Sequence, residues 1–132
     1  MTNPLTAAAL VGIGGFAGSI ARYSLSLLGQ RLALAWPGGT FAANLAGCFS
    51  IGVIAAVSER TEALSPQARL LLATGFCGGF TTMSSLVYET MQMLRSHLYL
   101  HAAGYLGATV AGSLLAFIAG ALCVRLLVRG AG

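Results

Sequence analysis

Apolar residues in this chain gather into four long runs, with no alternating, strand-like pattern. The runs cover about Leu5 to Leu28, Gly39 to Val57, Leu70 to Leu94 and Leu98 to Leu127. A helix of about 20 apolar residues crosses the hydrocarbon core of a bilayer, so the pattern predicts four transmembrane helices. Charges collect at the ends of the runs. Arg69 and Arg95 bracket the third, whose 25 residues hold one charge, Glu89. Pro4, Pro37 and Pro66 fall outside the runs or at their edges, where a missing N–H does little harm. The connections Gly29–Gly38, Ser58–Arg69 and Arg95–His97 are short and leave no room for a soluble domain. The expected architecture is an all-α membrane protein, one membrane domain over residues 1–132.

Composition sharpens this picture. The chain is 57% hydrophobic and 8% charged, against about 25% charged in soluble domains. Its net charge of +4 comes from seven arginines. They are scattered and mark segment ends, so no nucleic-acid partner is expected. No cationic n-region with a cleavage site opens the chain, so no removable signal peptide is read. Cys48, Cys77 and Cys123 are odd in number, lack metal-ligand spacing and read as small apolar residues. Trp36 beside Pro37 reads as an interfacial anchor. His97 and His101 offer at most two metal ligands and read as interfacial histidines. No nucleophile–base pair, paired carboxylates or phosphate-binding loop is present, so no enzyme is expected.

Four spans place both termini on one side of the membrane. Arg60, Arg69, Arg125 and Arg129 lie on that side; Arg31 and Arg95 lie on the other, with Arg22 near the end of the first span. Orientation follows such arginine bias, which is weak here. A weak bias permits insertion both ways and hence an antiparallel homodimer; the alternative is a fixed topology set by something other than these charges. Small residues recur at helical spacing: Gly14 and Gly18, Ala43 and Gly47, then Gly104, Ala108, Gly112, Ala116 and Gly120. Such faces let helices approach closely in lipid.

Polar residues inside a membrane are costly and mark candidate sites. Arg22 must snorkel, pair or bind backbone carbonyls. Asn44 is either inter-helix glue or a ligand donor. Tyr105, Thr109 and Ser113 recur every four residues and form one polar stripe on the fourth span. The third span holds Gly75, Gly78 and Gly79, then Thr81, Thr82, Ser84 and Ser85. Irregular backbone at membrane depth is tolerated only where protein buries it or a cavity meets it. A break near Gly78 and Gly79 would expose carbonyls able to hold a cation and amides able to face an anion. A row of hydroxyls can replace water around a small anion without trapping it. The alternative is a glycine-permitted kink that binds nothing.

Three ordered motifs resemble the fluoride channel family (Fluc, or CrcB). Gly14-Gly15-Phe16-Ala17-Gly18-Ser19-Ile20-Ala21-Arg22-Tyr23 is similar to its Gly-Gly-x-x-Gly-x-x-x-Arg-Tyr. Gly39-Thr40-x-x-x-Asn44-x-x-Gly47 and Gly75-Phe76-x-Gly78-Gly79-x-Thr81-Thr82 are similar to its next two. The resemblance implies an antiparallel, dual-topology dimer of four-helix subunits, with the third helix of each broken at mid-membrane. It implies passive export of cytoplasmic fluoride, and so fluoride resistance, across the cytoplasmic (inner) membrane of a prokaryote. It also implies a central structural sodium ion, held by the carbonyls of Gly78 and Thr81 from both subunits. Asn44 would donate hydrogen bonds to fluoride, with Thr82, Met83, Ser84, Leu86, Tyr105 and Thr109 on the same pathway and Arg22 structural. The family usually carries two phenylalanines where this chain has Met83 and Leu86. Aromatic edges can meet an anion; a thioether and an aliphatic chain lack that electropositive edge. A divergent channel, half of a heterodimer, a non-conducting partner subunit and an engineered pore variant all fit the departure. A small proton-coupled cation exporter would need an embedded acid, and Glu89 is the one candidate.

Overall fold

The computed structural model describes residues 3–33, 36–61 and 63–130, and every regular element among them is helical. Helix α1 spans Pro4–Arg31, α2 Gly38–Arg60 and α6 Tyr99–Gly130. Between them the third span, Pro66–Arg95, is composite. It runs through α3 (Pro66–Arg69), a π-helical stretch (Leu70–Cys77), α4 (Gly78–Phe80), two extended residues and α5 (Met83–Arg95). Four helices are therefore long and apolar enough to cross a membrane.

The spans begin and end where caps allow. Asn3 accepts from the Leu5 amide at 2.9 Å and starts α1, with Pro4 in the first turn, where its missing N–H is harmless. Ser65 accepts from the Ala68 amide at 3.1 Å, so the third span starts at Pro66, ahead of the expected Leu70. His97 closes the turn into α6 with φ 59°, and Leu98 donates back to the Met93 carbonyl at 2.9 Å. Glu59, expected in a loop, instead lies in the last turn of α2, 3.9 Å from Arg125. Both partners are exposed, so the pair adds little stability. Glu62 lies outside the described residues.

Close backbone approach sets the packing. A Cβ at Gly14 or Gly18 would overlap the carbonyl oxygens of Leu71 and Phe76, which seats α1 on the first half of the third span. A Cβ at Gly52 or Gly120 would overlap the carbonyls of Phe117 and Phe49, which seats α2 on α6. The second half of the third span, α5, packs instead on α6. The chain thus crosses the membrane against α1, breaks, and finishes against α6.

The break falls at Thr81 (φ −82°, ψ 155°) and Thr82 (φ −151°, ψ 121°), midway along the span. The break expected near Gly78 and Gly79 thus falls just after them, at the two threonines. Gly78 keeps helical angles (φ −62°, ψ −39°). Gly79 lets the third span lie directly on α1, because a Cβ there would strike the Gly15 carbonyl. Gly79 serves approach, Gly78 faces open space, and the break has another cause, described next.

Candidate functional site

The break is held by Asn44 of α2. Its Oδ1 accepts from the Thr82 amide at 2.7 Å, and its Nδ2 donates to the Thr82 carbonyl at 3.0 Å. The reciprocal pair fixes the amide orientation, because only the oxygen can accept from Thr82 N–H. One Nδ2–H is left over. Asn44 is 6% exposed, and the face it does expose lines a groove.

Asn44 also explains which carbonyls the break releases. In a continuous helix the Thr82 amide would bond to the Gly78 carbonyl and the Ser85 amide to the Thr81 carbonyl. The first goes to Asn44. The second goes to Thr82 Oγ1 at 3.1 Å, the N-cap of α5. Gly78 and Thr81 are thereby freed from the helical ladder, as a carbonyl-based cation site requires. The Phe80 carbonyl leaves the ladder too, whereas those of Cys77 and Gly79 are engaged. Cys77 O accepts from the Thr81 amide and hydroxyl at 2.9 and 3.0 Å. Gly79 O accepts from Arg22 Nε at 3.2 Å and Ser19 Oγ at 3.5 Å. Of the three options open to Arg22, the geometry takes the backbone carbonyl. Gly78 lies exposed, with open space beside it. Two carbonyl oxygens are too few for a hard cation alone; a second copy would double them. Among the described residues no three His, Cys, Asp or Glu side chains group into a metal site.

A second polar knot lies toward the Arg95 end of α5. Glu89 accepts from Thr40 Oγ1 at 2.8 Å and from Tyr105 OH at 2.6 Å. Tyr105 and Thr40 are 0% and 2% exposed, so the carboxylate pairs with the buried hydroxyls that most need it. Trp36 closes edge-on against Tyr105, with ring centroids 5.9 Å apart. The sole Trp, expected as an interfacial anchor, therefore packs inward on Tyr105. Glu89 and Thr40 line a cavity of about 410 Å³ with Ser26, Gln30 and Trp36. Sequence reasoning leaves Thr40 unassigned. The available signal is its position four residues before Asn44, with Cys48 four further on.

Two stripes therefore run side by side: Thr40–Asn44–Cys48 on α2 and Tyr105–Thr109–Ser113 on α6. Beyond the knot they open on the groove, of about 390 Å³, lined by Asn44, Cys48, Thr82, Thr109 and Ser113. Thr82 lies against Ser84 Oγ (3.1 Å) and Ser85 Oγ (3.2 Å), a hydroxyl cluster beside the groove. Thr109 is buried and donates to the Tyr105 carbonyl at 2.7 Å. Between knot and groove sits Leu86, 2% exposed, while Met83 at the groove's edge is 65% exposed. Asn44, Thr82, Met83, Leu86 and Thr109 thus line the groove, Ser84 lies beside Thr82, and Tyr105 sits in the knot, along one track of side chains from groove to knot. Gly78 and Arg22 line neither the groove nor the cavity at the knot. Cys77 is buried and Cys123 faces outward, and neither joins the groove. His97 Nδ1 lies 3.0 Å from Tyr99 OH at the turn, away from the track.

Comparison with known proteins follows the same lines. Residues 9–121 match the model of the CrcB-like protein family, also described as camphor resistance. A Chlorobaculum tepidum protein named fluoride-specific ion channel FluC is 48% identical over 117 residues, covering 89% of this chain and 93% of the relative. A Chlorobium phaeobacteroides protein of the same name is 43% identical over 126 residues, covering 96% and 98%. One from Leptospira interrogans is 45% identical over 117 residues, covering 88% and 92%.

Proposed function

The chain belongs to the CrcB-like family, and on that premise we propose that it is a passive, fluoride-selective channel that lets cytoplasmic fluoride leave the cell. It is a multi-pass membrane protein, and we place it in the inner membrane of a prokaryote. The observation that carries the reading is Asn44. Both of its backbone bonds go to Thr82, and the remaining N–H belongs to a side chain that lines a mostly apolar groove bordered by Thr81, Thr82, Thr109 and Ser113. Donors without fixed positive charge suit conduction, since they replace hydration without holding the ion. The pathway runs past Thr82, Met83 and Ser84, then Leu86 and Thr109, to Tyr105.

The functional unit in this reading is an antiparallel homodimer. The near-even arginine count permits both insertions. Gly78 offers an open face at the break, and its carbonyl and that of Thr81, taken from both subunits, would hold a structural sodium ion. Held there, such an ion would supply fixed positive charge between the subunits. Arg22 and Ser19 keep the Gly79 carbonyl engaged elsewhere.

A second reading is a heterodimeric or non-conducting partner subunit. Leu86 favours it, because an aliphatic side chain fills the space between knot and groove. Fluoride efflux from proteoliposomes containing the purified chain and sodium, with chloride as control, decides between them. Fluoride release without chloride release supports the homodimeric channel. A folded dimer that releases neither removes it and leaves the partner-subunit reading.

A further inference from the structure

The polar stripe of α6 ends at Ser113, but the helix face it lies on continues along the groove. One more four-residue step reaches Phe117, which lines the same groove and is 39% exposed. It is the one aromatic side chain among the groove's lining residues; the other long side chains there are Met83, Leu86 and Leu114. Its position is stiff. A Cβ on Gly52 of α2 would overlap the Phe117 carbonyl, so the two backbones touch at this level. A phenyl ring carries a negative face and a positive edge. An edge turned to the groove attracts an anion without adding a titratable or fixed charge.

We propose that Phe117 is a specificity-determining residue of the anion path, meeting a partly dehydrated anion at the groove end opposite the Glu89 knot. The proposal rests on the fluoride-channel reading and adds a residue from α6 to it. Two variants test it in the proteoliposome assay. Phe117→Leu keeps apolar bulk and removes the ring. Pentafluorophenylalanine at position 117 keeps the ring and reverses its quadrupole. Both are expected to slow fluoride efflux about two- to tenfold, the range an aromatic contact contributes. The pentafluoro protein should keep the unfolding midpoint of the wild type, which a purely packing role would also give, but without the loss of flux. Fluoride efflux at the wild-type rate in the pentafluoro protein overturns the proposal and leaves the channel reading standing. Should Phe117→Leu fail to fold, the pentafluoro protein alone decides. Absence of efflux from the wild type removes both.

Discussion

Asn44→Leu is the most direct test of what breaks the third span. The substitution keeps apolar volume in place of the amide, so it removes two hydrogen bonds without opening a large cavity. It leaves the Thr82 N–H and C=O without the partners now at 2.7 and 3.0 Å. Neither group can return to the helical ladder without straightening the span, which α1 and α6 grip on either side of the break. An orphaned buried backbone group costs about 1–3 kcal/mol, giving about 2–6 kcal/mol for two. Side-chain hydrogen bonds in membrane proteins average nearer ~0.6 kcal/mol, because the membrane-unfolded chain also finds partners. Water reaching the break through the groove beside Asn44 would favour the lower part of the range. The expected loss is therefore about 2 kcal/mol, read as a shift in reversible unfolding by denaturing detergent. Asn44→Asp should cost more than Asn44→Leu: one oxygen still accepts from Thr82 N–H, but the other then faces the Thr82 carbonyl oxygen. An Asn44→Leu protein as stable as the wild type would refute the claim that this amide holds the break.

Further outcomes follow from the same geometry. Gly52→Ala drives a methyl group into the Phe117 carbonyl and should destabilise by about 1–3 kcal/mol, whereas Gly107→Ala, which meets open space, should be near neutral; unfolding midpoints of the two compare them. Cys48 lines the groove and Cys77 is 1% exposed. A small water-soluble thiol reagent should therefore label Cys48 before Cys77 by mass spectrometry, and labelling should slow fluoride efflux; equal labelling, or labelling without effect on flux, counts against the groove as the path.

The spans were legible because lipid leaves few choices. A chain this apolar and this poor in charge must satisfy its backbone internally, and helices of about 20 residues do so. The stripe Tyr105–Thr109–Ser113 was legible for a related reason, since one helix fixes which residues share a face. The exact break was not. Glycine in a soluble helix signals weakness, but in lipid it signals approach, and Gly79 keeps its helical place because Gly15 lies against it. What interrupts the helix is a side chain 38 residues earlier in the sequence. No local pattern around Thr82 records that Asn44 will take its amide. The Glu89 knot was hidden in the same way, joining α2, α5 and α6 across separations of 49 and 16 residues.

One constraint nevertheless connects everything the sequence did and did not reveal. Every polar group at membrane depth needs a partner, so each can be followed to where its bonds go. Arg22 and Ser19 spend theirs on Gly79, Thr81 on Cys77, Thr40 and Tyr105 on Glu89, and Thr109 on Tyr105. Those bonds hold the fold together. After they are made, the carbonyls of Gly78 and Thr81 stand outside the helical ladder on one side of the break, and one N–H of Asn44 borders the groove on the other. The acceptors suit a cation and the donor suits an anion. On the function proposed above, a break that separates them by sign would give the chain two different ion sites from a single interruption of one helix.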